Sequence, residues 1–163
     1  MHPFEHHHNG PDSMPVLALA GNPNAGKTTA FNAYTGSRQH VGNYPGITVE
    51  KKEGVAHVDG ESVRLIDLPG AYSLTAYTQE ERVARRVIGA ERPLAVMAVL
   101  NAGALERNLY LVVQLLEMGV PVAVGLNMMD EARNMGLTID SALLARHLGL
   151  PVVETVARTG QGL

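Results

Sequence analysis

Residues Gly21-Asn22-Pro23-Asn24-Ala25-Gly26-Lys27-Thr28 read G-x-x-x-x-G-K-[ST], the pattern of a phosphate-binding loop. An apolar run, Val16-Leu17-Ala18-Leu19-Ala20, precedes it. Thr29-Ala30-Phe31-Asn32-Ala33-Tyr34, which can be helical, follows. Strand, glycine loop and helix in that order give the pattern a mechanism. The glycines let backbone N–H groups curl around a phosphate, and the helix N-terminus adds partial positive charge at the same point. Lys27 is placed to reach the terminal phosphates of a nucleotide, and the Thr28 hydroxyl to ligate Mg²⁺. The whole loop, with Thr29 after it, is expected to touch the nucleotide.

The rest of the chain bounds what surrounds this loop. At 163 residues it is one domain, large enough for a real core. Hydrophobic residues make up 45% and charged ones 18%, a globular composition. The net charge of −3 and the lack of a long basic run argue against nucleic-acid binding by bulk electrostatics. There is no cysteine, which excludes disulfides and thiolate metal sites. The longest apolar runs, 94–100 and 120–126, have strand length, short of the roughly 18 residues of a membrane span, so a soluble chain is expected. Residues 1–13, with His2 and His6-His7-His8 among Pro3, Gly10 and Pro11, read as a disordered leader or expression tail. The folded domain is expected over 14–163.

Apolar runs alternate with helical patterns. Strands are predicted at 16–20, 54–58, 62–66, 94–100, 120–126 and 152–154, and helices at 27–35, 79–88, 106–118 and 141–148. Asp59-Gly60 marks a hairpin between the second and third strands. The predicted fold is therefore α/β: a mostly parallel sheet with one antiparallel edge hairpin and helices on both faces. Ligands in such sheets bind beyond the carboxyl ends of the strands.

The loops at those ends carry further chemistry. Asp67-Leu68-Pro69-Gly70 follows the third strand. Its aspartate can hold Mg²⁺ through water, and the Gly70 N–H can meet a γ-phosphate whose loss would release the loop. Asn127-Met128-Met129-Asp130 follows the fifth. A carboxylate at Asp130 can accept two hydrogen bonds from guanine's N1–H and exocyclic amine, a pair that adenine lacks, though Asp130 can equally be a helix N-cap. Asn127 would tie this loop to the phosphate loop, and Met128 is expected to touch the nucleotide. In Thr155-Val156-Ala157-Arg158-Thr159-Gly160 a backbone N–H near Ala157 can reach the guanine O6. Arg38–Lys51 reads as a long, flexible, polar switch loop in which Thr48 completes a Mg²⁺ shell shared with Thr28 and Asp67. Glu80 and Glu81 read as a solvated helix start beside the second switch.

These five loops, in this order, have the layout of a P-loop small-GTPase domain. The residues Gly21–Thr29, Val41–Lys52, Asp67–Leu74, Leu105–Leu111 and Leu126–Ala132 further resemble the bacterial ferrous-iron transport protein B (FeoB) family, over roughly 15–163. The resemblance implies a GTP- and GDP-binding domain on the cytoplasmic face of the inner membrane, acting in iron uptake. It also implies helical and membrane-channel domains after Leu163, where a cut is expected. It implies activation by K⁺, held by the Asn24 side chain and by carbonyls near Gly42 and Tyr44. Lys27, Asn24, Thr48 and Gly70 are the expected catalytic group. Ala71 stands where many GTPases place a water-orienting glutamine, so slow hydrolysis is expected. Ala25, Asn101 and Val156 also depart from the family's usual residues. A nucleotide sensor with incidental turnover and a GTPase of ribosome or RNA maturation use the same loops. The charge and the lack of an RNA-binding module weigh against the latter. A homo-oligomer is compatible with all three; a nucleic-acid partner is not expected.

Overall fold

The computed structural model describes residues 14–163; the leader read at 1–13 lies outside them. Seven strands form one sheet in the order β2-β3-β4-β1-β5-β6-β7. In chain order the elements are β1 (Val16–Gly21), α1 (Lys27–Thr35), β2 (Gln39–Asn43), β3 (Glu50–Val58), β4 (Glu61–Asp67), α2 (Gln79–Glu91), β5 (Ala95–Asn101), α3 (Leu105–Glu117), β6 (Val122–Asn127), α4 (Met129–Asn134), α5 (Ser141–Leu148) and β7 (Val152–Glu154). β4-β1-β5-β6-β7 are parallel, and β2-β3-β4 antiparallel.

Alternation along the central strands divides the core in two. Ala18, Ala20, Val96, Ala98, Leu100, Val124 and Leu126 face one side, where they meet Ile88 of α2 and Leu111, Val112 and Leu115 of α3. Leu19, Leu65 and Val99 face the other, against Ala30 and Phe31 of α1. Burial on both faces explains why these strands are almost wholly apolar. Fully buried Leu19 and Phe31 each stabilise the fold by about 1.5–3 kcal/mol. Asp59 and Gly60 both have positive φ, 51° and 84°, as a two-residue turn matched to strand twist requires. Pro121 and Pro151 sit just before β6 and β7, where their carbonyls accept from Val96 and Val124 at 2.8 Å and no N–H is needed.

Two expectations are corrected. The edge hairpin has a third strand: residues 39–43, read as part of a flexible loop, pair with β3 from Gln39 opposite Gly54 to Asn43 opposite Glu50. An edge strand exposed on both faces needs no apolar alternation, so β2 left no such signal. The Asn127–Asp130 turn also opens a short helix, α4. Its N-cap is Met128, left-handed at φ 62°, so Asp130 lies inside the helix instead of capping it. Among the described residues no helix is long and apolar enough to cross a membrane.

Candidate functional site

The loops at 21–28, 67–70, 127–130 and 155–160 open at the carboxyl ends of β1, β4, β6 and β7, while 38–51 runs from α1 through β2 into β3. At the end of β1 the chain comes so close to β5 that a Cβ on Gly21 would lie 2.7 Å from the Val99 carbonyl oxygen. The loop then turns through two left-handed residues, Asn24 (φ 65°) and Gly26 (φ 87°). Gly26 begins α1 without a side-chain cap. The first helical bond runs from the Ala30 N–H to the Gly26 carbonyl (3.0 Å), so the N–H groups of Lys27, Thr28 and Thr29 have no partner within the helix. These residues, with Asn22, Pro23, Asn24, Gly70 and Met128, line a cavity of about 470 Å³. Open N–H groups at a helix N-terminus suit an anion. Ala25 is buried beneath the loop.

Beyond Lys27 the groove continues into a chamber of about 260 Å³ that contains Thr28, Thr48, Asp67, Gly70 and Glu80. Lys27 Nζ donates to Asp67 Oδ1, and both side chains are buried. Burial pushes the Asp67 carboxyl up, and Lys27 pulls it only part of the way back. Asp67 is therefore an anion that needs cations around it to stay ionised. Two hydroxyls and a carboxylate are hard oxygen donors that suit Mg²⁺. Among the described residues no group of three or more His, Cys, Asp and Glu could hold a metal without help, so phosphate oxygens would have to complete the shell.

The residues expected to hold K⁺ lie on two segments. Asn24 lines the phosphate cavity, whereas Gly42 lies in β2 opposite Lys51 and Tyr44 donates its N–H to the Val49 carbonyl (2.9 Å). The Tyr44 hydroxyl is buried without a partner among the described residues. Burial, followed by the charges of Glu53, Asp67 and Glu91, pushes it up to about 12.

At the other end, Gly26, Thr29, Asn127, Met128, Asp130, Val156, Ala157 and Arg158 surround a cavity of about 210 Å³. Asn127, 2% exposed, binds two other segments at once. Its Nδ2 donates to the Ala25 carbonyl (3.0 Å), and its Oδ1 accepts from the Ala157 N–H (2.9 Å) and the Thr155 hydroxyl (3.2 Å). The Ala157 N–H, close to where a base contact is expected, is donated to Asn127. A Cβ on Gly26 would sit 2.1 Å from Asn127 Nδ2, which explains glycine there. Asp130 Oδ2 accepts from Arg158 Nη2 at 2.5 Å, and this contact holds the carboxyl below the usual aspartate range.

The expectation of a solvated Glu81 is corrected. Its side chain is buried, and its carboxylate accepts from Ser73 Oγ (2.7 Å), the Tyr77 N–H (2.9 Å) and Thr75 Oγ1 (3.1 Å). Burial pushes the carboxyl up, but these bonds outweigh it and hold the group below its ordinary value. Leu74 is fixed as well: its N–H donates to Gln114 Oε1 (2.5 Å) and its carbonyl accepts from Arg85 Nη1 (3.2 Å). Arg107 stacks over the Tyr72 ring at 5.3 Å. Glu81 had a readable signal, since Thr78-Gln79-Glu80-Glu81 is a T-x-x-E capping box and the Thr78 hydroxyl accepts from the Glu81 N–H (3.1 Å). Gln114 had none.

A G-x-x-x-x-G-K-T loop, a D-x-x-G loop and an N-x-x-D loop, in this order along one rim of a sheet with this topology, define a small-GTPase-type G domain. The family model described as Ferrous iron transport protein B matches residues 15–163. The chain belongs to the ferrous iron transport protein B family. It is 51% identical over 148 residues to the Fe(2+) transport protein A/Fe(2+) transporter FeoB fusion protein of Porphyromonas gingivalis, covering 90% of this chain and 18% of that one. The chain spans about a fifth of the length of the curated relatives it matches, 18% and 20% for two of them. The G domain of the T. maritima FeoB iron transporter superposes with a TM-score of 0.85 at 45% identity, with 91% of each chain covered. A mutant of S. thermophilus NFeoB bound to mGDP superposes with a TM-score of 0.87 at 46% identity, covering 92% of this chain and 57% of that one.

Proposed function

We propose that this chain binds GTP, hydrolyses it slowly, and serves as the switch that regulates or gates ferrous-iron uptake in a longer inner-membrane transporter. The observation that carries the proposal is Asn127, whose three hydrogen bonds join the phosphate loop to both loops around the 210 Å³ cavity. One continuous groove then offers a purine end at Asp130 and a phosphate end at Lys27. The relatives' names supply the transport context, and the mGDP-bound S. thermophilus domain supports a guanine nucleotide as ligand.

Asp130 would accept guanine's N1–H and exocyclic amine, while O6 shares the Ala157 N–H with Asn127. Met128 and Val156 would flank the base. At the other end the N–H groups of residues 26–29 meet the phosphates, and Lys27 exchanges its bond to Asp67 for phosphate oxygens. Thr28, Thr48 and Asp67 would hold Mg²⁺, which supplies positive charge against the phosphates. During hydrolysis Lys27, the loop N–H groups and the Gly70 N–H oppose the charge that spreads over the γ-phosphoryl oxygens. Ala71 follows Gly70 with a buried methyl group and cannot orient water, hence the slow rate. The same methyl supports a second reading, a nucleotide sensor whose turnover is incidental.

The resemblance also supports stimulation by K⁺. The Asn24 side chain and backbone carbonyls near Gly42 and Tyr44 would hold the ion, and no step is routed through it. Single-turnover hydrolysis in KCl and in NaCl of equal ionic strength tests both parts. A switch completes GTP hydrolysis in a single turnover, faster in KCl; a sensor turns over only a small fraction of bound GTP; equal rates in both salts remove the potassium claim.

A further inference from the structure

We propose that Arg158 is a latch on the base-reading carboxylate, paired with Asp130 and displaced by guanine on binding. The inference rests on Asp130 being the base-reading group. Arg158 Nη2 donates to Asp130 Oδ2 at 2.5 Å, and both residues line the 210 Å³ cavity with Asn127 and Ala157. The Arg158 side chain makes no other hydrogen bond among the described residues and is 74% exposed, so the guanidinium reaches inward from solvent to this one partner.

The chemistry explains the choice of partner. Guanine's N1–C2–N2 edge is itself a guanidine fragment, with two N–H donors side by side. A guanidinium presents the same paired donors to the same carboxylate. Arg158 is therefore an internal mimic of the edge that Asp130 reads. Adenine has no such edge and cannot take its place. The latch thus acts only against ligands that compete for Asp130, and guanine must break the Arg158 bond to reach the carboxylate.

An exposed ion pair is weak, so the barrier it adds is small. Substituting Arg158→Met keeps the apolar stem and removes the donors. We expect this variant to associate with a fluorescent GDP analogue up to about five-fold faster than wild type at low salt. The gap should close as salt is raised, because screening loosens the pair in wild type. Stopped-flow association at low and high NaCl, with ADP as competitor, measures both. Equal or slower association of the variant at low salt, while GDP is still preferred over ADP, overturns the latch and leaves the base-reading role standing. Loss of preference for GDP over ADP in wild type overturns that role itself. Matching thermal midpoints of the two proteins confirm that an exposed substitution has not altered the fold.

Discussion

Replacing Asn127 with alanine removes a side chain bonded to the phosphate loop and to residues 155–157 alike. The residue is buried, and each of its three hydrogen bonds contributes about 1 kcal/mol net. Truncation also leaves the Ala25 carbonyl and the Ala157 N–H without a partner, a penalty of about 1–3 kcal/mol that overlaps with the bond values and does not add to them in full. A loss of about 3–5 kcal/mol is the expected total. At about 2–4 °C per kcal/mol for a domain of this size, the nucleotide-free midpoint should fall by about 6–20 °C. GDP affinity should fall by at least ~100-fold, because two loops lose their shared anchor. Thermal and urea unfolding, with a calorimetric GDP titration, measure these effects. An Asn127→Asp variant should do no better, since a carboxylate oxygen then faces the Ala25 carbonyl. A midpoint within about 2 °C of wild type together with unchanged GDP affinity would refute the assignment of Asn127 as the junction.

Gly26→Ala forces a Cβ to 2.1 Å from Asn127 Nδ2 at φ 87°, so it should abolish measurable GDP binding even where circular dichroism still reports a folded chain. Glu81→Gln should free the loop over 73–77, seen as amide exchange at Tyr77 at least ~10-fold faster than in wild type. The pH dependence has a definite sign. The folded Glu81 carboxyl lies below its ordinary 4.5, so its stabilisation is complete above 4.5 and disappears as pH falls through the lower folded value. The stability gap between wild type and Glu81→Gln should therefore narrow in acid; a gap constant down to about pH 3 would contradict the clamp. Asp130→Asn should shift binding from guanine to xanthine nucleotides in a competition titration, and unchanged GTP affinity would remove Asp130 from base reading.

The parallel half of the fold was legible because strands buried on two faces are apolar runs, and because glycines and prolines mark their ends. Helices α1 and α5 have their predicted limits, since Gly36 and Gly149 stand just past them. The elements that sequence concealed are those whose order comes from partners. β2 is a polar edge strand fixed by backbone pairing to β3. Helix α4 is six residues long and begins at a left-handed methionine, with no capping side chain to announce it. At the site, the types and order of Lys27, Thr28, Asp67, Asn127 and Asp130 were readable because phosphate and purine chemistry admits few substitutes. The bonds of Asp67 to Lys27 and Asp130 to Arg158 were not, because each joins loops brought together only by the sheet. Glu81 looked solvated because its partners Ser73 and Thr75 lie in a loop whose path no periodicity describes.

The central claim is that one carboxylate, Asp130, selects guanine at the head of a groove whose other end grips phosphates. Calorimetric titration of the chain with GTP and with ATP, both with Mg²⁺, tests it most directly. Two charge-assisted hydrogen bonds of about 1.5–3 kcal/mol each predict GTP tighter by ~100-fold or more. ATP binding as tightly as GTP, or neither binding, would contradict the account.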